Sequence, residues 1–198
     1  MKRSQVSTVA IATKPTVVLL LLQACSLPVS AAPEVCVLAP HLERSASPHT
    51  VPRALVPLSQ PTLFVREPLA ELRIEEGAKV LWSWQSPPNQ GALEGPLAWP
   101  LSPLKPGQTV TVRLRPLGST PEHFATIQLD GAPLQRLREG DGRLRSLTGQ
   151  PGAWRPAIED LLAKGDQALA TALLFANEGP NDPTLNALRL LVAQESCQ

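Results

Sequence analysis

The residues best suited to nucleophilic or metal chemistry are few and scattered. They are Cys36 and Cys197 near opposite ends of the chain, His41, His49 and His123, and a third cysteine, Cys25, inside an apolar N-terminal stretch. A serine nucleophile needs a neighbouring base and usually a sharp, glycine-flanked turn. No G-x-S-x-G is present, and the nearest arrangement is Ser119 with His123 beyond Gly118-Ser119-Thr120-Pro121. That string reads as a turn serine and a surface histidine. The histidines and cysteines lack metal-ligand spacing. Two carboxylate pairs stand out, Glu75-Glu76 and Glu159-Asp160. The first falls at a hairpin tip. The second falls in the opening turns of a helix, where acids favour the dipole. Neither has the facing geometry that glycoside hydrolysis requires. No catalytic residue, metal site or cofactor is expected.

Binding features are stronger. Trp82 and Trp84 are two residues apart, so on a strand they share a face, where they either fill a core or stack on sugars. Tyrosine is absent from the sequence, and recognition surfaces commonly use it. Arg136, Arg138, Arg143 and Arg145 flank Gly140-Asp141-Gly142 and would form a basic patch if that string is a turn. The nearby Glu139 and Asp141 favour a solvated, self-compensated surface instead.

The N-terminus reads as a cleavable export signal. Lys2 and Arg3 precede an apolar run, Val17–Leu22, and Pro28 is followed by small residues at Ser30 and Ala31. Cleavage is expected after Ala31. The run is short of the ~20 residues that span a bilayer, so no membrane span is expected in the mature chain. Leu22-Gln23-Ala24-Cys25 is a lipobox-like alternative that would anchor the protein by lipid on Cys25, with Gln23 a poor fit. Removing residues 1–31 takes away three basic residues and no acidic one. The 18 Lys and Arg therefore become 15 against 17 Asp and Glu, a formal net charge of −2. That balance argues against nucleic acid as a partner. It also leaves Cys36 and Cys197 as an even pair in an oxidising compartment, where a disulfide is expected.

The elements that must position these residues divide in two. Most of the prolines lie between Pro33 and Pro121, which limits that half to short strands and loops. Residues 32–53 read as a proline-rich lead-in. From 54 to 150 the pattern predicts strands at Ala54–Leu58, Thr62–Val65, Leu69–Glu75, Lys79–Gln85, Leu97–Trp99, Thr109–Arg115 and Phe124–Leu129. Glu76-Gly77-Ala78 is a hairpin turn, and a last hairpin is expected over Leu134–Arg138 and Arg143–Leu147, although Pro133–Arg138 also admits a helical reading. Residues 151–198 are rich in Ala and Leu. They predict two or three short helices, with Pro156 in a first turn, Asp166 as a cap, and Asp182-Pro183 opening a helix whose apolar face is Leu185, Leu188, Leu191 and Val192. The fold class expected is mainly β with a small α appendage: an immunoglobulin-like antiparallel β-sandwich followed by helices.

The tryptophan-bearing strands, then Leu97-Ala98-Trp99-Pro100 and Pro103-Leu104-Lys105-Pro106-Gly107, then the alternating Val110–Leu114, resemble uncharacterised secreted β-sandwich proteins of cyanobacterial type, over roughly residues 54–195. The resemblance implies a secreted sandwich with a short helical tail and carries over no activity and no site residues. The function expected is that of a non-enzymatic periplasmic or secreted binding module, with an envelope protein or polymer as its partner. The alternatives are a carbohydrate-binding module using Trp82 and Trp84, and a hydrolase.

Overall fold

Seven strands and four helices follow one another in chain order in the computed structural model, which describes residues 35–43, 50–87 and 91–196. The strands are β1 (Val37–Ala39), β2 (Arg53–Val56), β3 (Leu63–Glu76), β4 (Lys79–Gln85), β5 (Leu93–Leu97), β6 (Thr109–Pro116) and β7 (Ala125–Gly131). The helices are α1 (Leu134–Leu147), α2 (Pro151–Ala163), α3 (Gln167–Leu174) and α4 (Pro183–Ser196). The export segment, Cys25, His49 and Cys197 lie outside the described residues.

β3 organises the sheet. Its first half runs antiparallel between β1 and β5, and its second half antiparallel between β4 and β6. The β3–β4 hairpin forms where alternation predicts it. Its tight turn uses Gly77 at φ 58°, a left-handed conformation that glycine adopts without steric cost. Beyond β6 the sheet continues through antiparallel β7 to β2, which is parallel to β7. Alternation sends Leu72, Ile74, Val110, Val112, Leu114, Ile127 and Leu129 to one face, where they bury with Ala54, Val56 and Trp99.

The immunoglobulin-like antiparallel sandwich is not what the strands build. All seven belong to one hydrogen-bonded, mixed sheet, and helices form the other main body of structure. The expected last hairpin is also corrected. Residues 134–147 are one helix, α1, so helical structure begins well before 151. Gly140-Asp141-Gly142 is not a turn. A Cβ on Gly140 would lie 2.1 Å from the Pro57 carbonyl oxygen, so this glycine lets the helix back onto the chain after β2. The adjacent Asp141 accepts the Ser59 N–H at 2.9 Å. The glycine serves close approach rather than chain reversal.

The later helices start where their caps predict. Asp166 accepts the Leu169 N–H, and Asp182 accepts those of Thr184 and Leu185. Pro156 sits one turn inside α2, which opens earlier, at Pro151. A second core joins the helices around Trp154, Ile158, Leu173, Phe175 and Leu185, with Leu38 and Leu58 contributed from the β-rich part. Of the face expected on α4, Leu185 is buried and Leu188 and Val192 half-buried, whereas Leu191 is exposed.

Candidate functional site

Ser119, His123 and the two carboxylate pairs are engaged elsewhere. Ser119 donates its hydroxyl to the Pro116 carbonyl at 2.7 Å, and His123 Nδ1 pairs with the Thr120 hydroxyl at 2.8 Å, so serine and histidine are not joined. Glu75 faces Arg113, and Glu76 accepts from Gln108. Glu159 pairs with Arg155, and Asp160 with Lys164 and Arg143. No group of three or more metal-ligating side chains occurs among the described residues.

The four arginines lie on α1 rather than about a turn, and helical geometry divides them. Arg136 and Arg143, seven apart, face the following helices: Arg136 pairs with Asp166 and Arg143 with Asp160 at 3.2 Å. Arg138 and Arg145, also seven apart, are exposed on another face and form no ion pair among the described residues. The patch is therefore half-compensated.

Trp82 and Trp84 are both half-buried on β4, opposite Ile74 and Leu72. Trp82 lines a small pocket of about 130 Å³ with Leu63, Leu72, Ile74, Leu93 and Trp99. Its walls are aliphatic and aromatic side chains. Stacking on a sugar requires polar groups beside the ring to take up the hydroxyls, and this pocket does not provide them.

Two clusters escaped sequence reasoning. The first is Glu71, only 6% exposed although it alternates along β3 with Leu72 on the same side as Arg73 and Glu75. Burial pushes its carboxyl up, but hydrogen bonds from Arg115 and Arg73 outweigh this and hold it below the usual carboxylate range. Arg73 and Arg113 each place their guanidinium 4.9 Å from the centre of the Phe124 ring. The cluster knits β3 to β6, with Arg73 and Arg115 sharing Glu71 and Arg113 facing Glu75.

The second is a groove of about 480 Å³ between the β3–β5 pair and the α3–α4 region. Phe64 and Pro96, paired across β3 and β5, form one wall. Phe175 lies just past the end of α3 and meets Phe64 edge-on, with ring centres 5.1 Å apart. From α4 come Arg189, Leu190 and Ala193; Leu190 is 65% exposed. The half-buried Arg189 donates through Nε to the Leu174 carbonyl at 2.7 Å, closing an orphan acceptor at the end of α3. Nη1 donates to Asn186 Oδ1 at 2.7 Å and at the limit of range to the Pro180 carbonyl, and Asn186 in turn donates to Asn181. Nη2 has no acceptor among the described residues, and no carboxylate pairs with this guanidinium. Gly179 leaves space there, since a Cβ on it would lie 2.8 Å from Nη2. Burial pushes the Arg189 pKa down, partly offset by the more distant Asp182, but a guanidinium stays protonated. The groove thus combines apolar walls with one pre-oriented cation that no carboxylate contacts.

No family model, curated protein or solved structure matches this chain. The functional reading therefore rests on the chain's own residues.

Proposed function

We propose that the chain is an exported, non-enzymatic binding module of the cell envelope that engages its ligand in the groove between Phe64, Phe175 and α4. One observation carries this reading. The groove is concave and mostly apolar with a few convergent polar groups, the usual composition of a ligand site, and it contains Arg189, which no carboxylate contacts. A hydrolase reading has no support, because Ser119, His123 and the carboxylate pairs are each bonded to other groups. The carbohydrate-module reading is weakened by the absence of polar partners around Trp82.

The test uses a neutral apolar fluorophore, N-phenyl-1-naphthylamine, titrated into the mature protein. Saturable binding is expected. Ala193→Trp, which fills the groove from a half-buried position on α4, should abolish it while leaving the far-ultraviolet circular dichroism unchanged. Binding indifferent to this substitution would place the ligand elsewhere.

Export remains part of the proposal, and so does the bridge it permits. Cys36 Sγ lies 3.7 Å from the carbonyl oxygen of Ser196, the residue immediately before Cys197. A Cys36–Cys197 disulfide would clasp the approach to β1 to the end of α4. One intact-mass measurement on the exported protein reads both features. The expected chain starts at Ala32 and gains two hydrogens on reduction. A diacylglyceryl group on Cys25, or a mass that reduction leaves unchanged, would reject the cleavage site or the bridge respectively.

A further inference from the structure

The groove's cation carries the argument one step further. Arg189 is held by three carbonyl oxygens, of Leu174, Pro180 and the Asn186 side chain, all neutral. A part-buried guanidinium that no carboxylate contacts is costly to maintain, and its planar fork matches small oxyanions. Two asparagines of the groove, Asn181 and Asn186, are bonded to each other, and Asn186 also to Arg189. Their oxygens are committed, so the polar groups of the groove left without a hydrogen bond among the described residues are donors of Arg189 Nη2 and Asn181 together with the exposed Asn177 amide, and of these only Arg189 carries charge. Around them the walls are Phe64, Pro96, Phe175 and Ala193. Pro96 has no N–H, so β5 lacks a backbone donor at this point of the wall.

Resting on the reading of the groove as the binding site, we propose that its ligand is a small amphiphile with an oxyanion head, such as a medium-chain carboxylate. Its head lies on Arg189 Nη2 and its apolar body between Phe64, Phe175 and Ala193. Charge complementarity selects the head. The apolar walls, Phe64, Pro96, Phe175 and Ala193, select a hydrocarbon body.

Competition against bound N-phenyl-1-naphthylamine at pH 8 tests this on the mature protein with three competitors: decanoate, decanol and an apolar peptide bearing a free C-terminal carboxylate. Decanoate should displace the fluorophore at concentrations on the order of ten- to a hundredfold below those of decanol, the usual worth of a charge-assisted hydrogen bond. Arg189→Gln should erase that difference. Because Arg189 also closes the end of α3, this variant is paired with Arg189→Lys, which retains charge and should retain part of the preference. The wild-type comparison stands even if neither variant folds. Equal displacement by decanoate and decanol, with Ala193→Trp still blocking the fluorophore, would overturn the oxyanion inference and leave the groove reading intact. Failure of the wild-type protein to bind the fluorophore would remove both. A peptide that outcompetes decanoate would overturn the choice of a hydrocarbon ligand.

Discussion

Trp154→Ala is expected to destabilise the folded chain by about 3–5 kcal/mol, the range for emptying a large aromatic site in a packed core. Trp154 is 1% exposed and is the largest fully buried side chain. It belongs to the helical core with Ile158, Leu173 and Leu185. Its indole N–H donates to the Leu147 carbonyl at 2.9 Å, near the end of α1. The ring also reaches the α3–α4 turn, where a Cβ on Gly179 would come within 3.5 Å of it. One side chain therefore ties together α1, α2 and the α3–α4 turn against which the Arg189 guanidinium lies. Truncation opens a cavity and removes one of the two hydrogen bonds that the Leu147 carbonyl accepts, the other coming from the Gln150 N–H. Urea unfolding followed by circular dichroism gives the free-energy difference. Trp154→Phe keeps most of the volume and should lose less, with about 0.5–1.5 kcal/mol attributable to the lost indole hydrogen bond. A loss below about 1 kcal/mol for the alanine variant would mean that the helices do not share this core.

The second expected result is a pair of opposite signs within one helix. Gly140→Ala should destabilise by about 1–3 kcal/mol or more, the cost of overpacking a close contact. The new methyl would meet the Pro57 carbonyl oxygen at 2.1 Å, backbone that cannot swing aside, and α1 would have to move off the segment after β2. Gly142→Ala should instead stabilise by about 0.5–1 kcal/mol, because nothing lies within 4 Å of its Cβ position and alanine is the better helix former. Thermal unfolding of the two variants beside the parent decides the matter. If 134–147 were a hairpin turning at Gly140-Asp141-Gly142, both substitutions would be unfavourable, so a loss at Gly142 would count against the helix.

Much of the candidate site was beyond one-dimensional reading. Arg189 stands four residues after Leu185, on the side of α4 that packs inward. A cation at an apolar position of a helical stripe is a signal, but it does not say what it meets. Phe64 and Pro96 come from strands about 125 and 93 positions earlier in the chain, and no pattern within either segment points to the other. Glu71 was hidden for the same reason. Its alternation with Leu72 assigns it to the solvent side, and only the β3–β6 pairing reveals that Arg115 covers it.

Local physics was sufficient wherever neighbours in the chain are neighbours in space. The period-two pattern of residues 69–85 with a glycine at the bend determines a hairpin, and the hairpin forms. Asp166 and Asp182 determine the starts of α3 and α4, because a cap bonds only to N–H groups two or three residues ahead. Tertiary structure decided the rest. Alternation marks which face of a strand is buried but carries no information on which strand lies beside it, so the parallel β2–β7 pair and the single mixed sheet were undetermined. Gly140 shows the same limit in a single residue. Glycine permits both a turn and a close approach, and the choice depends on the Pro57 carbonyl, which lies 83 positions away in sequence and in contact only once the chain has folded.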